Sequence, residues 1–293
     1  MTRRVSLLRQ GLAAVAMGML TVTMPVAGSA QVGCSAVEQS EAEAYDALWV
    51  LLRLDDLVDI MREEGTAMAL DADMGFLGRP GGAPWRDRVA TIYDEARIQS
   101  DTEKAMESAL AAEHLPVLCR FYQSDEMQTI VDLEISARRA FMDQGIEDLA
   151  RSEWLSGRAL TPHEDAIFHF VEVNDLVERN VVGAMNSNYA FLQALTDAHP
   201  VVSERMTEDE ILTEVWSQEV EIRRDTSEWL LAFLSTAYAP VSVDDLNEYV
   251  AFSETEAGHA LNHALFDAFD IIYVRLSAEL GRAVSEIGAQ EEL

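Results

Sequence analysis

The sequence predicts an all-α protein made of two tandem helical-bundle modules related by internal duplication. Three observations predict it. After residue 36 apolar residues recur at three- and four-residue spacings with no sustained strand-like alternation, helix-start signals are frequent, and three blocks of the first half return in the same order in the second.

The chain opens with what reads as a secretory leader. Arg3, Arg4 and Arg9 form a basic start, Leu12 to Val26 is mostly apolar, and Gly28-Ser29-Ala30 offers a small-residue cleavage site. An uncleaved anchor is the competing reading, but Gly11, Gly18, Thr21, Thr23 and Pro25 dilute the apolar run and no stop-transfer pattern follows. Lipidation at Cys34 would need a compact apolar box before it, and Gln31-Val32-Gly33 is a poor one. The expected layout is therefore residues 1–30 as signal peptide, 31–156 as the first module, 157–285 as the second and 286–293 as an acidic tail. The expected location is the periplasm, with no transmembrane segment in the mature chain.

At 293 residues and 49% hydrophobic composition the chain can fill a core, and its net charge of −31 repels phosphate backbones and anionic headgroups. Nucleic acid is excluded as a partner on that ground. The charge serves either cations and basic partners or simply solubility. Cys34 and Cys119 are an even pair bound for an oxidising compartment, which predicts a disulfide. Closing so long a loop stabilises by about 4–5 kcal/mol.

Helix punctuation follows along the chain. Thr161-Pro162-His163-Glu164 and Thr207-Glu208-Asp209-Glu210 are capping boxes, and Ser242-Val243-Asp244-Asp245 is an acidic variant. Breaks are expected at Gly78-Arg79-Pro80-Gly81-Gly82, at His199-Pro200 and at Ala239-Pro240. The longest helices are then expected at about 86–109, 126–148, 208–236 and 256–280.

The repeated blocks begin with Leu54-Asp55-Asp56-Leu57-Val58 against Val173-Asn174-Asp175-Leu176-Val177. Glu95-Ala96-Arg97-Ile98 with Asp101-Thr102 then matches Glu219-Val220-Glu221-Ile222 with Asp225-Thr226. The clearest block pairs Phe121-Tyr122-Gln123-Ser124-Asp125-Glu126 with Phe252-Ser253-Glu254-Thr255-Glu256-Ala257. Each is a helix ending on an aromatic, a hydroxyl cap and an acidic first turn that suits the dipole of the next helix. Two such units are expected to bury one core apiece and to leave a cleft between them.

The stretch from Leu246 to Asn262 resembles the signature of a bacterial exported family, domain of unknown function 2059, in which an apolar helix ends in Phe-Tyr, followed by a residue, a Ser or Thr, a variable pair and Gly. Phe252, Thr255 and Gly258 match, while Ser253 stands at the Tyr; in the first unit Phe121, Tyr122 and Ser124 match and Met127 stands at the Gly. The resemblance implies a small periplasmic helical module and brings no catalytic residues with it.

Chemistry-bearing constellations are few. His259, His263 and Asp267 recur every four residues, so they share one helix face and form a candidate metal site; the bland reading is a solvated stripe opposite Leu261, Leu265, Phe266 and Phe269. The matching residues of the first unit are Gln128, Asp132 and Ser136. His163 and His169 diverge by about 240° around their helix, which is not the zincin arrangement. Asp71-Ala72-Asp73-Met74-Gly75 starts like a calcium loop, but its Gly is a place early and Gly82 stands where the bidentate Glu belongs. No nucleophile elbow, phosphate loop or dinucleotide fingerprint occurs. Trp49, Trp85, Trp154, Trp216 and Trp229 fit core or inter-module packing better than a ligand pocket.

The resulting expectation is a periplasmic binding or protein-interaction module without a cofactor. It would hold an unidentified protein or a small apolar ligand in the cleft between its units. The alternative is a hydrolase or metal-dependent enzyme using the terminal helix.

Overall fold

The computed structural model describes residues 40–156, 161–199 and 205–289. Among them the protein is all-α, with no strand. The leader at 1–30 lies outside the described residues, as do Cys34, and with it the expected disulfide, and the end of the acidic tail. Cys119 itself is buried, its thiol directed at the Ala44 carbonyl 3.8 Å away.

In chain order the helices are α1 (Glu41–Leu51), α2 (Leu54–Asp71), α3 (Asp73–Leu77), α4 (Gly82–Ile92), α5 (Glu95–Ala109), a 3₁₀ turn (Ala112–His114), α6 (Leu115–Tyr122), α7 (Asp125–Ala140) and α8 (Gln144–Leu155). The second half continues with α9 (Pro162–Val173), α10 (Leu176–Asp197), α11 (Glu208–Trp216), α12 (Glu219–Tyr238), α13 (Val243–Ser253) and α14 (Glu256–Ala289).

The caps form where side-chain chemistry demands them. Thr161 with Glu164 and Thr207 with Glu210 close reciprocal capping boxes, and Ser242 Oγ accepts from Asp245 N at 3.1 Å. A third box, Ser40 with Glu43, opens α1. Gly78 and Gly82 take positive φ, of 73° and 65°, in the expected break. Asp73, far from holding calcium, accepts from the Gly81 amide at 2.9 Å and tightens that turn.

Three of the four expected long helices are interrupted. The 86–109 run breaks at Tyr93-Asp94, where the Asp94 carboxylate accepts from Arg97 N and starts α5 afresh. The 126–148 run breaks at Phe141 to Asp143, with Asp143 capping Gly145 and Ile146. The 208–236 run breaks at Ser217-Gln218, where both side chains bond to the Glu214 carbonyl and compete with the helix ladder. The last helix instead outruns its expected end and reaches Ala289, with Ile287 buried and Glu286 paired to Arg88.

Matched features recur in the two halves. The helix preceding α2 and the one preceding α10 each hand over through a left-handed residue, Arg53 and Asp175, both at φ 51°. These corners pair three residues out of the register suggested by the Leu54 and Val173 blocks. The other two blocks keep theirs: Glu95 and Glu219 open α5 and α12, Thr102 and Thr226 are buried, and Asp125 and Glu256 open α7 and α14.

The packing is reciprocal. Helix α5 lies antiparallel to α14 through Arg97–Glu279 and Arg275–Asp101, while α7 lies antiparallel to α12 through Phe141–Trp229 and Glu134–Tyr238. Each half thus packs its helices against the other's. In consequence both hydrophobic clusters draw on both halves, and the expected one core per module does not occur. Helices α10 and α14 run in parallel, so close that a Cβ on Gly281 would sit 2.3 Å from the Phe191 carbonyl oxygen.

Candidate functional site

Between α2, α10, α12 and α14 lies a cavity of about 550 Å³. Its exposed edge carries Asp175, Glu178, Val182 and Asp267, and its inner wall the buried Phe76, Phe191 and Leu276. The volume falls inside the range of about 300–1,000 Å³ typical of small-molecule sites.

Helix α2 supplies one wall through Leu57, Met61, Glu64 and Met68, spaced four, three and four apart on a single face. A carboxylate therefore occupies a place in the apolar stripe. The Glu64 side chain is only 9% exposed and pairs with Arg138 of α7, Nη2 to Oε2, at 3.0 Å. Burial pushes the Glu64 carboxyl up to about 7, with the Arg138 charge opposing the shift. Its second oxygen, Oε1, is buried and has no hydrogen-bond partner among the described residues.

Aromatic groups surround this pair. The Arg138 guanidinium carbon lies 5.7 Å from the centre of the Trp229 ring, a cation–π distance. Tyr93 and Tyr273 also line the cavity, and burial raises both phenols above their ordinary range. Gly65 explains how Tyr93 reaches the wall: a Cβ there would fall 2.2 Å from the ring. A glycine inside a helix costs about 1 kcal/mol relative to alanine, and here it makes room for the tyrosine.

The rim is set by α10 and α14. Arg179 lies 5.4 Å from the centre of the Phe266 ring and reaches the His263 ring at 2.6 Å. Glu178 pairs with Arg223 at 2.6 Å. Asp270 accepts from Asn186 at 3.3 Å on Oδ2, whereas its Oδ1 is buried without a partner among the described residues. Desolvation raises the Asp270 carboxyl, against the Asn186 hydrogen bond.

Of the expected metal stripe, Asp267 lies on this rim and His263 reaches it through Arg179. His259, His263 and Asp267 are all exposed, and His263 is occupied by a guanidinium. No group of three or more His, Cys, Asp or Glu suited to holding a metal ion is present among the described residues. His163 and His169 are separate, the latter 3.2 Å from Glu254.

The repeated aromatic corner lies elsewhere, as a seam between the halves. Phe121 and Phe252 stack with ring centres 3.6 Å apart, and Phe121 also meets Tyr122 edge-on. Glu134 of α7 sits beneath, accepting from Tyr238 at 2.6 Å and from Tyr249 at 3.2 Å. Burial pushes this carboxyl up to about 7 against those two hydrogen bonds. Ser124 caps α7 through Met127 N, and the Thr255 hydroxyl accepts from Gly258 N at 3.1 Å. A Cβ on Gly258 would lie 2.3 Å from the Phe252 carbonyl oxygen, so the corner needs glycine.

Of the tryptophans, Trp85 is buried in the core, Trp229 faces the cavity, and Trp216 is 65% exposed, against the expectation of packing. Glu64, Arg138, Tyr93 and Tyr273 were absent from the sequence candidates. The signal for Glu64 was available, since it interrupts the Leu57, Met61, Met68 stripe.

The chain matches no protein-family model, no curated protein and no solved structure.

Proposed function

We propose that this protein binds a small, largely apolar ligand in the cavity between its two halves, and that it does so after export to the periplasm. The observation that carries the reading is a cavity of about 550 Å³ whose apolar walls contain a buried carboxylate with one unpaired oxygen. Buried polar atoms are ordinarily satisfied, so an orphan beside an open volume calls for a ligand or solvent partner. Nothing in this arrangement activates a nucleophile, and the reading is a binding module.

The test is titration with the neutral fluorophore N-phenyl-1-naphthylamine. One saturable site is expected, reduced at least tenfold in affinity by Ala184→Phe, which fills the cavity from α10. Equal binding by the folded variant would place the probe elsewhere and remove the reading.

Export rests on the basic start, apolar run and Gly28-Ser29-Ala30 of the leader. No helix among the described residues is long and apolar enough to cross a membrane. Intact-mass measurement of the secreted chain is expected to give Gln31 to Leu293 less two hydrogens for a Cys34–Cys119 bridge. A chain retaining Met1, or carrying lipid on Cys34, overturns this.

We also propose that the halves arose by duplication. The twin left-handed corners, the reciprocal helix pairing and the stacking of Phe121 on its matched Phe252 support it. Membership of the domain of unknown function 2059 family rests on the Phe252, Thr255 and Gly258 corner.

A further inference from the structure

Resting on the binding reading above, we infer that the ligand is an amphipathic cation, an apolar body ending in a protonated amine whose N–H groups donate to Glu64 Oε1. The charges around the cavity select this class. Its lining carries the carboxylates of Glu64, Asp175, Glu178, Asp267 and Asp270 against two guanidinium groups, Arg138 and Arg179. Arg138 is engaged by Glu64 Oε2, and Arg179 by Phe266 and His263. With both guanidinium groups already in contact with protein groups and five carboxylates in the lining, a fatty carboxylate would meet acids at the rim and a carboxylate inside.

Two of the orphaned atoms are acceptors: Glu64 Oε1 and Asp270 Oδ1 are buried and without partners among the described residues, in a lining where Arg179 Nε and Trp229 Nε1 are orphaned donors. An ammonium carries donors and no acceptor, so it satisfies such oxygens and creates no new orphan. A carboxylate bridging a guanidinium on one oxygen and an ammonium on the other is a fully bonded arrangement. The rings of Tyr93 and Tyr273 in the lining supply quadrupoles of the kind that favour a desolvated cation. Entry is assisted by a chain of net charge −31, which concentrates cations at the acidic rim.

The experiment is calorimetric titration of the full-length secreted protein at pH 7 with decylamine, 1-decanol and decanoate, each below its aggregation limit. Decylamine is expected to bind at one site at least tenfold more tightly than decanol, and decanoate most weakly. Glu64→Gln is expected to abolish the amine's advantage while changing decanol affinity less than threefold, with the helical circular dichroism unchanged. Asp270→Asn, which leaves the Arg138 pair intact, is expected to weaken the amine two- to fivefold. Decanol or decanoate binding as well as the amine overturns the cationic class and leaves the cavity reading standing. Saturation by none of the three removes both. Amine uptake at several sites, indifferent to Glu64→Gln, is association with the acidic surface and also overturns the proposal.

Discussion

The seam and the cavity are built alike and finished differently. Both lie where the two halves meet, and both place a glutamate on an apolar helix stripe among tyrosines. In the seam, one oxygen of Glu134 receives two phenol hydroxyls and the rings above it stack in contact. In the cavity, Glu64 receives one guanidinium, keeps an oxygen unpaired and faces open volume. A buried acid is therefore not by itself a sign of function. The distinguishing property is whether the protein's own groups complete its hydrogen bonding, and of these two glutamates it is at Glu64 that they stop short.

The two regions should separate most sharply under glycine replacement. Gly258→Ala in the corner beside the seam drives a Cβ to 2.3 Å from a backbone oxygen, which only a backbone shift can relieve. We expect a loss of about 3 kcal/mol or more, read from urea unfolding. Gly183→Ala at the cavity places its Cβ 3.4 Å from Asp270 Oδ1, an ordinary contact. There the gain in helix propensity should leave stability unchanged or raised by up to about 1 kcal/mol. Similar losses in both would erase the distinction between a packed seam and an open site.

A smaller effect, common to both regions, comes from pH. Glu134 and Glu64 hold their protons up to about pH 7 in the folded chain, whereas an unfolded glutamate releases its proton near 4.5. The native state carries the extra protons across that window, so stability is greatest below it and falls as pH rises from about 4.5 to 7. Each group contributes on the order of 1–3 kcal/mol to that fall. Glu134→Gln should flatten the decline whether or not ligand is present. Glu64→Gln should flatten it in the free protein alone, because a bound donor would already stabilise the carboxylate. Thermal unfolding at pH 5 and pH 8, with and without decylamine, checks both; identical behaviour of the two variants would contradict the contrast.

Much of the local structure was legible in the residues. Thr161, Thr207, Ser242 and Ser124 cap the helices they were expected to cap, and the Gly78 to Gly82 break is present. The three missed breaks share one cause. At Asp94, Asp143 and Ser217-Gln218 polar side chains compete for backbone groups inside an otherwise continuous apolar pattern, and periodicity alone does not register that competition. The candidate site was less legible. The aromatic corner and the His259 stripe drew notice by their regularity, yet the first is packing and the second meets the rim through Asp267 and His263, whereas the irregularity of Glu64 within its stripe marked the inner wall.

What the residues determined unaided was the helical class, most helix starts and the acidic character, because caps, turns and periodicity act between neighbours a few positions apart. Which helix packs on which was a tertiary decision: α14 completes the first half's α5 and α7 embraces α12, joining groups far apart in sequence. Glu64 and Arg138 meet because α2 and α7 of the first half pack on one another, 74 residues apart in sequence. The cavity is the volume that reciprocal packing of four helices leaves unfilled.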